Sequence, residues 1–296
     1  MIKITFLGTG CMQPTKSRNH SGILLRYKSE SILLDCGEGI QRQMRIAGIK
    51  PARITKVFLS HWHGDHVFGL AGLISTMGAD GFSGTLQIYG PPGSKKYMDN
   101  LLKSFSVKNL IPIEVREVKT GDFFENEDFI LRAELLKHSA TCIGFSLIEK
   151  DRRRIELTKA KKLGLKGPIL GKIQRGEEVT VSGKKIKPSE VTYIVKGKKI
   201  SYIADTVKCK GADNLAQEAD LLISEGTHIE DIKSKTRKYM HLTVKEAAEI
   251  ASRNKVKRLI ITHISQRYKN SEEVLKEAKA GFKNSKVAED FMEVEV

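Results

Sequence analysis

The chain has 296 residues, 40% of them hydrophobic and 29% charged, the proportions of a globular protein with a sizeable core. No apolar run approaches the ~20 residues that span a bilayer. Four scattered cysteines (Cys11, Cys36, Cys142, Cys209), with no CxxC, argue against a disulfide scaffold or a thiolate zinc ribbon and suit small buried thiols. A net charge of +16 points to a polyanionic partner, nucleic acid before an anionic membrane. A merely Lys-rich surface would have the same composition, so the placement of the charge has to decide.

In chain order, Ile2–Leu7 alternates and stops at Gly8-Thr9-Gly10. It reads as a first strand and not a signal peptide, which makes a cytoplasmic location the default expectation. Ser21–Tyr27 and Ser31–Asp35 predict a hairpin. Glu38–Ala47 has helical composition and stops at Gly48. Ile54–Leu59 predicts a strand and Phe68–Met77 a helix; Leu86–Tyr89, Ile113–Val118 and Ile130–Lys137 are further strands. Hairpins mixed with single helices favour an α/β sandwich over a doubly wound parallel sheet.

The composition changes near Glu149. Residues 149–175 hold ten Lys or Arg against three Asp or Glu, and no aromatic residue occurs between Phe145 and Tyr193. Glycines and two prolines (Pro168, Pro188) punctuate the stretch. It has little with which to build a core and reads as an inserted, flexible, projecting basic arm over residues 149–188, or else as a solvated loop. Regular structure is expected to return with strands Lys199–Ala204, Ala219–Ser224 and Val256–Thr262. Thr243 to Glu246 forms a capping box that opens a helix Val244–Arg253.

The densest chemical signal is Ser60-His61-Trp62-His63-Gly64-Asp65-His66, directly after a strand. Residues i and i+2 of an extended chain face the same way, so His61 and His63 can share one metal ion. A turn at Gly64 can aim Asp65 and His66 at a second. Further ligands are on offer at strand ends: His138, Asp205 and His263. Each alone is as compatible with a solvated or capping side chain.

These residues resemble the metallo-β-lactamase superfamily, and within it the ribonuclease Z family of tRNA 3′-processing endonucleases. HxHxDH identifies only the superfamily. The narrower likeness rests on Phe6-Leu7-Gly8-Thr9-Gly10, Pro14-Thr15-Lys16-Ser17-Arg18-Asn19, Asp35-Cys36-Gly37-Glu38-Gly39, Ala204-Asp205-Thr206, Ser224-Glu225-Gly226-Thr227, Met240-His241-Leu242-Thr243 and the basic arm. The resemblance implies an αββα metallo-β-lactamase sandwich with two Zn2+ per subunit. His61, His63 and His138 would hold one, Asp65, His66 and His263 the other, and Asp205 would bridge them. It also implies a homodimer in which each arm serves the other subunit's site.

The expected catalytic residues are Asp65, as ligand and proton acceptor, His241, as the acid that protonates the leaving oxygen, and Glu225, as its orienting carboxylate. Lys16, Arg18 and Asn19 would meet the acceptor end of precursor tRNA. Lys166, Gly167, Pro168, Lys172 and Arg175 would form the tip of the arm. An arm without aromatics suits backbone and shape recognition of folded RNA, since single-strand binders stack bases on aromatic rings. The competing reading is a small-substrate phosphodiesterase or thioester hydrolase of the same fold, against which the arm speaks. His20 and His228 are left to structural or surface roles.

Overall fold

The computed structural model describes residues 1–106, 111–181 and 183–296. The chain divides into two compact units: residues 1–124, 131–147 and 199–296 in the first, residues 125–130 and 148–198 in the second.

The first unit is built on two seven-stranded sheets. In the N-terminal sheet, β1 (Lys3–Gly8), β2 (Gly22–Tyr27) and β3 (Glu30–Leu34) are antiparallel neighbours. They continue in parallel into β4 (Lys56–Phe58), β5 (Leu86–Gly90) and β6 (Ile113–Glu117). The second sheet contains β7 (Gly121–Glu125), β8 (Phe129–Lys137) and β9 (Thr141–Glu149). It is completed by β14 (Lys199–Ile203), β15 (Leu221–Glu225), β16 (Leu259–Thr262) and β17 (Ser285–Val287), which run parallel to one another. β18 (Glu293–Glu295) returns to the first sheet beside β1.

Apolar residues on the inner faces hold the sheets together. Phe58 lies against Phe145 with ring centroids 4.9 Å apart. Helices cover the outer faces. Leu70–Ala79 buries Leu70, Leu73, Ile74 and Met77, a spacing that sets one stripe against the first sheet's core cluster. Val244–Arg253 contacts β15 and β16 of the second sheet. It starts where the sequence predicts: Thr243 Oγ1 accepts from Glu246 N at 3.2 Å, and the Glu246 carboxylate accepts from Thr243 N at 3.2 Å. Such a cap is worth about 1 kcal/mol. Helices outside and two sheets inside make the αββα sandwich.

The architecture matters for the site because parallel strands deliver their C-terminal ends to one edge. β3 ends just before Asp35, β4 before the His61–His66 run, β14 before Asp205 and β16 before His263. β15 ends on Glu225 itself.

The second unit has more regular structure than its composition suggests. β10 (Arg152–Ile155) pairs antiparallel with β13 (Thr192–Val195), and β11 (Val179–Val181) with β12 (Lys184–Ile186). Ala160, Leu165, Ile173, Val179, Ile186 and Val191 form a buried aliphatic cluster. The expectation of a stretch unable to build a core is therefore corrected: short aliphatic side chains fill so small a core without aromatic rings. Gly167 (φ +63°) precedes the helix Pro168–Arg175, whose first position is proline, and Gly176 (φ +95°) closes it in the left-handed conformation. Lys161, Lys162, Lys166 and Lys172 are exposed. Arg175 pairs with Glu177 at 2.7 Å. Ser182, within the expected arm, lies outside the described residues.

Candidate active site

All seven expected ligands converge at this edge. His61, His63, His138 and Asp205 offer ligand atoms within 4.8 Å of one another, and so do Asp65, His66, Asp205 and His263. Asp205 belongs to both groups. Its carboxylate oxygens lie 3.5 Å from His66 Nε2, 3.4 Å from His263 Nε2, 3.7 Å from His61 Nε2 and 3.9 Å from His138 Nε2. The local chain explains the split. His63 is extended (φ −73°, ψ 150°) and caps the one-turn helix Gly64–Val67, which turns Asp65 and His66 away from His61 and His63.

Outer partners hold Nδ1 of four of the imidazoles and turn each Nε2 toward the centre. His66 Nδ1 donates to Asp35 Oδ2 at 2.8 Å. His61 Nδ1 donates to Ser60 Oγ at 3.0 Å, while that hydroxyl donates to Asp35 Oδ2 at 2.9 Å. His263 Nδ1 donates to Thr227 Oγ1 at 3.0 Å, whose own proton goes to Glu225 Oε2 at 2.7 Å. His138 Nδ1 donates to the Met240 carbonyl at 3.1 Å.

Six buried side-chain polar atoms lack a hydrogen-bond partner among the described residues; four are His61 Nε2, His66 Nε2, Asp65 Oδ1 and Asp205 Oδ1. Orphaned acceptors from two imidazoles and two carboxylates, gathered at one point, fit divalent cations of the zinc type. The protein's own charges show the same demand. Burial opposes the charge on His66, yet Asp65, Asp205 and Asp35 outweigh it and push the imidazole well above its usual range. Burial and its imidazole neighbours drive His61 well below it.

Beside this centre, His241 Nδ1 donates to Glu225 Oε1 at 3.1 Å. Burial opposes the imidazolium, but the Glu225 and Asp205 charges outweigh it and raise the pKa to about 9. With Nδ1 engaged by Glu225, Nε2 is the ring nitrogen left to carry a proton toward a substrate. Glu225 is held by Thr206 N at 2.7 Å and Leu242 N at 3.2 Å. His241 lines a cavity of about 450 Å³ together with His63, Asp65, His138, Asp205 and His263.

Three positioning features escape a reading by motif spacing. Asp35 is fully buried and also accepts from Ser60 N at 2.7 Å and Tyr202 Oη at 2.8 Å. Asp35, Met240 and His263 all have left-handed backbones (φ +57°, +57° and +60°). Such strain collects at sites that need a fixed geometry. Lys235, Lys238 and Arg267 also line the cavity and give it positive charge. Replacing Asp35 by alanine is expected to weaken metal binding about 10–100-fold, because two ligand imidazoles lose their anchor. Titration with a metal-competing dye checks this, and unchanged affinity would contradict it.

Other expected contacts sit elsewhere. Arg18 is 7% exposed and spends its guanidinium inside the fold, on Thr9 Oγ1, the Ala288 carbonyl and Ser271 Oγ. Asn19 donates to the Glu38 carbonyl. Neither they nor Lys16 line the cavity. His20 Nε2 lies 3.1 Å from the Met12 carbonyl, and His228 lines the cavity.

Comparison with known proteins places the chain. Residues 176–264 match the family described as "Beta-lactamase superfamily domain", and residues 2–110 match "Anti-Pycsar protein Apyc1". A curated ribonuclease Z of Methanothermobacter thermautotrophicus is 42% identical, covering 100% of this chain and 97% of the relative. One of Microcystis aeruginosa is 41% identical over 100% and 96%. Among solved structures, the short form of human tRNase Z superposes with a TM-score of 0.73 at 29% identity, covering 99% of each chain. The Bacillus subtilis metallo-β-lactamase-fold protein YhfI reaches the same TM-score at 20% identity, a likeness of fold alone.

Proposed function

The chain belongs to the ribonuclease Z family, and on that premise we propose that it is a two-zinc endoribonuclease that removes the 3′ trailer from precursor tRNA. The observation that carries this reading is the convergence of seven ligand-type side chains at one edge, five of them lining the cavity that His241, held on Glu225, also lines. His61, His63 and His138 would hold one cation, Asp65, His66 and His263 the other, with Asp205 shared. When bound, zinc supplies Lewis acidity, lowering the pKa of water and offsetting charge on the phosphoryl group.

The chain's own residues do the rest. Asp65 Oδ1, buried without a partner, is placed to accept a proton from the attacking water. His241 gives its Nε2 proton to the leaving 3′-oxygen, so the tRNA ends in a 3′-hydroxyl and the trailer keeps a 5′-phosphate. Glu225 orients that imidazole and keeps it charged until transfer. Lys235, Lys238 and Arg267 offset the charge of the entering RNA.

No helix among the described residues is long and apolar enough to cross a membrane. A cytoplasmic homodimer completes the proposal. We assign RNA grip to the exposed cations of the second unit, Lys166, Lys172 and Arg175, beside Gly167 and Pro168. The triple variant Lys166→Gln/Lys172→Gln/Arg175→Gln is expected to raise KM for precursor tRNA. It should also flatten the salt dependence by about one unit for each phosphate no longer neutralised. Hydrolysis of a small phosphodiester should stay at the wild-type rate. An equal fall in both activities would contradict the assignment.

A further inference from the structure

A second cavity, of about 340 Å³, shares no lining residue with the first. It lies at the opposite end of the N-terminal sheet. Ser31, at the start of β3, lines it, whereas Asp35, beyond the end of β3, belongs to the active site. Four residues of extended chain separate the two by roughly 13 Å.

Three cationic residues line this cavity, Arg26, Lys50 and Arg53, and no carboxylate does. Lys50 and Arg53 form no ion pair among the described residues. Among the described residues, the ion-pair partner of Arg26 is Glu293 at 3.8 Å, and that carboxylate binds Lys3 more closely, at 2.7 Å. Arg26 Nε is buried with no hydrogen-bond partner. Four of the other such atoms mark the metal centre, so an orphaned donor on a residue that lines a cavity is a second sign of a ligand site. The remaining wall is apolar: Leu24, Ile49 and Ile54.

We propose that this cavity binds a phosphorylated small molecule of mononucleotide size, its phosphate on Arg26, Lys50 and Arg53 and its organic body on the apolar wall. A guanidinium pair with an ammonium suits a phosphate dianion, and the volume falls within the range of small-ligand pockets. The proposal is independent of the reaction at the metal centre.

Calorimetric titration of the full chain with AMP tests it, with inorganic phosphate and adenosine as the two halves of the probe. AMP is expected to bind more tightly than either. Affinity should fall on the order of tenfold or more in Lys50→Gln/Arg53→Gln, both exposed positions, and likewise in Arg26→Gln. It should be retained in Lys235→Gln/Arg267→Gln, which alters the active cavity. Precursor-tRNA cleavage by Lys50→Gln/Arg53→Gln should match the wild type. No AMP binding, binding insensitive to Lys50→Gln/Arg53→Gln, or equal affinity for AMP and phosphate would overturn the proposal. So would a raised KM for precursor tRNA in that variant without AMP binding, which would assign these cations to RNA backbone.

Discussion

Asp205→Ala is expected to abolish cleavage and to lower the metal content below that of the wild type. The carboxylate is 2% exposed and lies within 3.9 Å of imidazole nitrogens from both ligand groups. It is the one side chain common to the two. Removing it takes the shared negative charge from both groups at once and leaves Asp65 as the only carboxylate among five imidazoles. Burial works against the Asp205 charge, and His263, His66 and His241 outweigh it, so the carboxyl stays ionised far below its usual range. That charge is what makes the pair of sites suitable for cations. Asp205→Asn keeps the shape and removes only the charge, and it should lose metal as well. Metal analysis beside circular dichroism separates this from misfolding. A folded Asp205→Asn protein with two ions and full activity would contradict the assignment.

His241→Ala should lower kcat about 10²–10⁴-fold, the usual contribution of a positioned general acid, with KM little changed. The side chain belongs to neither of the two proposed ligand groups, so metal content should match the wild type. A substrate whose leaving oxygen needs no proton, such as a nitrophenyl phosphodiester, should lose far less. Glu225→Gln should act in the same direction but more weakly. It keeps a hydrogen-bond acceptor for Nδ1 and removes the largest charge that holds the imidazolium. Loss of metal from His241→Ala, or an unchanged kcat, would remove the residue from the mechanism.

The sequence reveals the site more fully than the fold. His61 through His66 announce a metal centre by density alone, and Asp205 and His263 fall at the ends of readable apolar strands. The helix Val244–Arg253 is legible because its cap is written in the chain. Strand Thr141–Glu149 is harder. It lies inside the second sheet, buried over most of its length, so it lacks the alternation that marks a half-exposed strand. Helix Ser94–Lys103 buries only Ser94 and Met98, too thin a stripe to stand out.

Asp35, Thr227 and the Met240 carbonyl act on ligands distant in sequence; nothing local says which imidazole each will meet. The role expected for Arg18 shows the converse. A basic residue in a polar loop looks like a phosphate contact, yet Thr9, Ala288 and Ser271 surround its guanidinium.

Mapping the ends produced from a 3′-extended precursor tRNA tests the central claim most directly. The expected result is a single cut that leaves a 3′-hydroxyl on the tRNA and a 5′-phosphate on the trailer, lost with chelator and restored by zinc. Cleavage that survives complete removal of metal, or a product ending in a 2′,3′-cyclic phosphate, would contradict it.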